Sequence, residues 1–191
     1  EGMQLAESPP HNAAKIIDDA LNGALRELID SGDFAGGAGQ TVVLYPRESL
    51  LAQRVIAVGL GEAEQFTSDV ARKAAAKGLK KACELKAQIV ATVPFGTGVG
   101  GLDVETSARA IAEGGLLGLY QYHGLKTSEK PADLPTTLSL VTYEASEVAA
   151  AQKGVAAGVA IATGTNLTRD LVNHPPNVCT PSYLAQVAEE I

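Results

Sequence analysis

Apolar and polar positions follow two periods along this chain. From Ala13 the apolar residues Ile16, Ile17, Ala20, Leu21, Ala24, Leu25, Leu28 and Ile29 recur every three to four positions, which predicts one amphipathic helix ended by Gly32. The residues before it, 1–12, carry Pro9 and Pro10 as breakers and read as irregular chain. Segments 40–45 and 54–59 read as strands, the first rich in β-branched residues, joined by the charged, solvated turn PRESLLAQ. Thr67 or Ser68 then caps a helix to about residue 85. Asp69 lies in its first turn, and Lys73, Lys77, Lys80 and Lys81 lie mostly on its wet face.

The second half repeats the alternation. Segment 87–93 reads as a buried strand stopped by Pro94, and 103–122 as a helix. The small residues Ala108, Ala112, Gly115 and Gly118 of that helix permit close packing. A polar connection over 123–136, with Pro131 and Pro135, leads to a last strand at 138–143. A long helix at 145–173 comes next, with a break expected near Gly164 and a small-residue face of Ala149, Gly154, Ala157, Gly158 and Ala162 that invites a partner helix. Pro175 and Pro176 end it, because each lacks an N–H and restricts the residue before it. Thr180-Pro181 then starts a helix, Thr as N-cap and Pro at the first helical position. This helix reaches Ile191 without a stop signal, which predicts that the chain is part of a longer one.

Strands separated by helices of this length predict right-handed crossovers. The expected fold is α/β: a three-layer α/β/α sandwich with a mostly parallel sheet over residues 1–143, followed by a linker helix. A helix so near the front leaves one sheet face under-supplied and predicts one further strand.

Composition narrows the function. Hydrophobic residues make up 46% of the 191 and charged residues 19%, an ordinary globular balance, so length allows one domain and some extra. With aromatics at 4% and no Trp, the core must be built from Ala, Val, Leu and Ile. A net charge of −7 argues against a duplex nucleic-acid binder, which needs clustered Lys and Arg. Cys83 and Cys179 stand far apart, outside any CxxC, as in a reducing compartment; Cys83 reads as a small core residue. No signal peptide is visible at the front. The apolar run over 148–165 is mostly Ala and Gly, with Gln152 and Lys153, and does not read as a membrane span.

Candidate chemistry is sparse. The loop 96–101, GTGVGG, follows a strand and precedes a helix, where backbone N–H groups can cradle a phosphate. Its spacing matches neither GxGxxG nor GxxxxGK[ST]. Tyr120 and Gln121 stand where an acidic residue is wanted about 20 positions on, so the loop reads as a structural turn. His11, His123 and His174 are isolated, His174 reading as a surface or capping residue. Glu189-Glu190 reads as a solvated pair and Ser182 as part of a helix start, so no catalytic, cofactor-binding or metal-binding residue is assigned.

The stretch 166–184, NLTRDLVNHPPNVCTPSYL, carries a resemblance. It resembles the segment joining the two domains of the leucyl aminopeptidase family, the cytosolic metallo-aminopeptidases. In register with that family are Asn166, Leu167, Arg169, Asp170, Leu171, Asn173, Pro175, Pro176, Asn177, Thr180, Pro181, Leu184 and Ala185. SGDFAGGAGQT at 31–41, VIAVGLGE at 55–62 and EGGLLGLYQYHGLKT at 113–127 fit more loosely. The resemblance covers nearly the whole chain but only the non-catalytic front of the family. It implies a macro-domain-like N-terminal domain at 1–143, an interdomain linker helix at 144–176, and at 177–191 the start of a catalytic domain. It further implies that the parent is a cytoplasmic homohexamer that releases N-terminal residues, preferably leucine, from peptides. Two divalent metal ions (zinc or manganese), held by Lys, Asp and Glu of the C-terminal domain, would serve that hydrolysis; no ligand is implied in this chain. The alternative is a stand-alone macro-like module that binds ADP-ribose or another nucleotide through residues 96–101.

Overall fold

The computed structural model describes residues 13–97, 100–122, 124 and 133–191. The expectations for residues 1–12, His11, Gly98, His123 and Pro131 fall outside them.

Small side chains bring three helices together: α3 (Ser68–Glu84), α4 (Val104–Gly118) and α5 (Val148–Asn173), with α4 packed against both others. A Cβ added at Gly114 would stand 2.1 Å from the Arg72 carbonyl oxygen of α3. One at Gly154 would stand 2.2 Å from the Glu105 carbonyl oxygen of α4, and one at Gly158 2.6 Å from that of Arg109. Backbones this close exclude any side chain at those positions. Ala71, Ala108 and Ala162 are wholly buried in the same helix set. At Gly154 and Gly158 the face of α5 that the sequence offers to a partner helix is therefore filled by α4 of the same chain, while Ala149 stays exposed. A salt bridge ties α3 to α4: Arg72 Nε lies 2.6 Å from the carboxylate of Glu113, itself buried.

The front helix is two helices. Between α1 (Ala13–Ala20) and α2 (Ala24–Asp30) the backbone turns through positive φ at Asn22 (54°) and Gly23 (84°). The periodicity runs straight through the break because Asp18, fully buried, caps the second helix. Its Oδ1 accepts from the N–H groups of Leu25 (2.9 Å) and Arg26 (3.1 Å). On α2, Leu25 joins Phe34 and Leu44 in a cluster lined by Val42, Val55 and Ala57.

Strands β1 (Thr41–Leu44) and β2 (Val55–Val58) form an antiparallel pair, Thr41 opposite Val58 and Leu44 opposite Val55. β3 (Ile89–Thr92) and β4 (Thr137–Leu140) form a parallel pair, Ile89 opposite Thr137. The mostly parallel sheet is thus corrected: the described strands make two separate pairs, one of each sense. The cause lies in residues 45–54, which contain no helix; the chain doubles back, whereas a parallel return needs a crossover. Helices flank both faces of the first pair. Val42 and Ala57 point into the α2 cluster, while Val58 meets Gly78 of α3, whose Cβ position is 3.3 Å from its methyl.

α5 runs unbroken through Gly164, around which nothing lies within 4 Å of a Cβ. A turn over residues 174–179 leads to α6 (Pro181–Glu190), capped by the Thr180 side chain on the Tyr183 N–H, with Pro in the first turn. Among the described residues no helix is long and apolar enough to cross a membrane.

Candidate functional site

Two places were singled out by sequence: the glycine loop and the segment after residue 165. In the loop, Gly96 adopts φ 83°, and a Cβ there would fall 1.9 Å from the Phe66 ring. A Cβ at Gly100 would meet the same ring at 2.5 Å. Gly101 adopts φ 69°, which favours glycine. Ser107 of α4 donates to the Phe95 carbonyl at 2.8 Å, and Leu102 N–H to the Gly96 carbonyl at 3.0 Å. The helix start beyond the loop is already occupied by an anion of the chain itself. Asp103 accepts from the Thr106 N–H at 2.7 Å and from its hydroxyl at 3.0 Å. These bonds, the backbone one foremost, hold its carboxyl below the usual carboxylate range. Gly96, Gly100 and Gly101 are thus accounted for by packing and turn geometry, and the nucleotide alternative gains no support.

The segment after residue 165 is where polar side chains converge. α4 ends at Gly118, leaving its last carbonyls without helical partners. Two side chains of α5 supply them: Asn166 Nδ2 donates to the Leu116 carbonyl (3.3 Å) and Arg169 Nη1 to that of Leu117 (3.1 Å). A guanidinium at this negative helix end is also favoured electrostatically. Arg169 is held in turn by Asn166 Oδ1 at 3.2 Å, and its guanidinium lies 3.8 Å from the centre of the Tyr120 ring. Tyr120 donates its O–H to Asp170 (2.7 Å) and accepts from Asn173 Nδ2 (3.2 Å). Desolvation, followed by the Asp170 carboxylate, pushes the Tyr120 phenol above its ordinary value.

Two residues on, the Tyr122 hydroxyl lies 2.9 Å from His174 Nδ1. His174 is the C-cap of α5, its N–H bonded to the Asp170 carbonyl. Its imidazole makes edge contacts with the rings of Tyr122 (5.6 Å between centres) and Tyr183 of α6 (5.7 Å). The capping role expected for His174 is present, together with ring contacts that sequence could not announce. Tyr120, Tyr122 and Tyr183 escaped notice because only tertiary contact gives them partners; the spacing Tyr120-x-Tyr122 after a helix end was the available signal.

Other candidates remain apart. Cys83 donates its thiol to the Asp133 carbonyl, and Cys179 lies in the turn before α6; both are free and half-buried. Ser182, Glu189 and Glu190 are exposed on α6. Among the described residues no three His, Cys, Asp or Glu side chains are grouped as metal ligands would be, so the donor set does not fit a metal centre. The side-chain contacts after residue 165 hold elements in place.

Comparison with known proteins decides the family. Residues 4–129 match the family model described as the cytosol aminopeptidase family, N-terminal domain. The chain belongs to this family. A probable cytosol aminopeptidase of Roseiflexus castenholzii is 39% identical over 178 residues, covering 91% of this chain and 36% of the relative. The cytosol aminopeptidase of Pseudomonas aeruginosa is 35% identical over 189 residues, covering 99% and 37%. Among solved structures, a mutant of tomato leucine aminopeptidase superposes with a TM-score of 0.73 at 27% identity, covering 92% of this chain and 34% of that one. The bottromycin maturation enzyme BotP in complex with Mn gives 0.70 at 29%, covering 88% and 32%. The chain spans little more than a third of the length of these curated relatives.

Proposed function

We propose that this chain is the non-catalytic N-terminal domain of a metallo-aminopeptidase that releases N-terminal amino acids, preferably leucine, from peptides in the cytoplasm. The observation that carries the reading is the match of residues 4–129 to the family's N-terminal domain. Alignment with aminopeptidases named as such over 99% of the chain supports it. In this reading residues 1–143 form the domain, 144–176 the interdomain linker helix, and 177–191 the beginning of the catalytic domain. The arrangement expected for that domain is a three-layer, macro-domain-like sandwich. Helices on both faces of β1–β2 favour that arrangement.

Hydrolysis would be a two-metal reaction using zinc or manganese, with its ligands outside this chain, and the parent would be a homohexamer. Manganese in the BotP structure favours the metal assignment by family. No catalytic, cofactor or metal residue is assigned to residues 1–191, and the chain's task is to hold and place the catalytic domain. The experiment compares the 191-residue chain with the longer protein on a leucyl amide, with Mn²⁺ or Zn²⁺ added. Turnover by the longer protein alone is expected. Turnover by the chain above a metal-only blank, or an inert longer protein, defeats the reading.

A further inference from the structure

α6 is poorly anchored by burial. None of its residues is buried, and Leu184 is 44% exposed. A helix of this length is marginal in water unless something holds it. Its N-terminal end is well built. The turn before it closes with N–H bonds from Val178 and Cys179 to the Pro175 carbonyl, both 2.9 Å, and Thr180 caps the first turn. These local bonds shape the corner without fixing it to the domain.

The side chain that does so is His174. It stands at the corner, as the last cap of α5, and touches both sides. Tyr122 lies on the segment after α4, and its hydroxyl meets Nδ1 at 2.9 Å; Tyr183 lies on α6 and makes an edge contact with the imidazole, 5.7 Å between ring centres. Tyr122 is itself placed two residues beyond Tyr120, which is fastened to Asp170 and Asn173. We propose that Tyr122, His174 and Tyr183 form an orientation latch, in which the imidazole couples the direction of α6 to the body of the domain. The direction of this bond follows the tautomer: Tyr122 donates to Nδ1 when the ring proton is on Nε2, and accepts when it is on Nδ1. Where the chain continues into a catalytic domain, the latch also sets the angle at which that domain leaves. The latch itself, and its effect on α6, do not depend on that continuation.

Hydrogen exchange on the 191-residue chain and on Tyr122→Phe and His174→Ala tests the latch, together with the imidazole ¹⁵N spectrum of His174. Tyr122→Phe keeps the ring and removes one hydrogen bond, so the amides of residues 185–190 are expected to exchange about fivefold faster. His174→Ala, which loses both contacts, is expected to accelerate them further. Exchange in α4 and β1–β2 stays as in the parent chain, and the Nδ1 resonance moves in Tyr122→Phe. Unchanged exchange in α6 in either variant overturns the latch. So does an α6 without protection in the parent chain, an acceleration shared equally by α4, or an Nδ1 resonance indifferent to Tyr122.

Discussion

Replacing Gly114 by Ala tests the idea that α3 and α4 are held at backbone contact. The new methyl would stand 2.1 Å from the Arg72 carbonyl oxygen and 2.8 Å from its carbon, where ordinary contact begins at 3.4 Å. The obstacle is backbone in the middle of a helix, so no side chain can swing aside. The helices must part beside the Arg72–Glu113 pair, which is closed at 2.6 Å. Overpacking of a core costs about 1–3 kcal/mol, and a backbone obstacle argues for the upper end. The better helix propensity of Ala returns about 1 kcal/mol, leaving a net loss of about 2 kcal/mol, or roughly 4–8 °C in Tm for a chain of this size. Gly164→Ala is the matched control: it lies in α5 with nothing within 4 Å, so only the propensity gain of about 1 kcal/mol remains. Urea unfolding followed by circular dichroism gives both values, provided the m-value is unchanged. A Gly114→Ala chain within about 0.5 kcal/mol of the parent would refute the close-contact argument. So would a Gly164→Ala chain less stable than the parent.

Three further outcomes are expected. Asp18→Ala removes the buried acceptor of two α2 N–H groups and is expected to cost about 2 kcal/mol in thermal unfolding, Asp18→Asn less because an amide oxygen can still accept. Asp103→Ala is expected to destabilise the chain near neutral pH. Because the Asp103 carboxyl titrates lower in the folded chain than unfolded, its charge-linked contribution is present above the ordinary carboxylate range and is lost as pH falls through the lowered value; the parent–variant difference measured by urea unfolding should therefore shrink in strong acid. Tyr120, with its phenol raised, contributes stability below the ordinary tyrosine range and loses it as pH rises through the raised value; an ultraviolet titration should show one tyrosine ionising late, absent in Tyr120→Phe.

Local signals made most elements legible. The caps at Thr67, Asp103 and Thr180 and the stop at Pro175-Pro176 mark their helices within a few residues, because each acts on its own backbone. The features that escaped depend on distant partners. Asp18 occupies the polar face of a helical pattern, and nothing nearby says that it turns inward to cap the next helix. The small-residue face of α5 is plain in the sequence, but small residues do not say which helix fills the gap they leave; here it is α4. Strand sense was misjudged because β1 and β2 were counted into a βαβ series although no helix lies between them. At the junction the sequence marked Asn166, Arg169, Asp170 and Asn173 through resemblance alone, while their partners at residues 116–122 lie in a segment that fits the family only loosely and says nothing of the contact.

α5 is attached in two ways, and the change from one to the other explains why its second half is rich in specified residues. Its first half lies along α4, where Ala151, Gly154, Gly158 and Ala162 let the backbones touch and demand only that side chains be small. α4 stops at Gly118 and leaves carbonyls that need donors. Asn166 and Arg169 supply them, and the Tyr120 bonds to Asp170 and Asn173 continue the attachment one turn further. A hydrogen-bonded attachment of this kind fixes direction more narrowly than a stripe of alanines, because each bond tolerates only a small error in distance and angle. The residues before the proline pair thus have structural duties, and these lead up to the turn into α6.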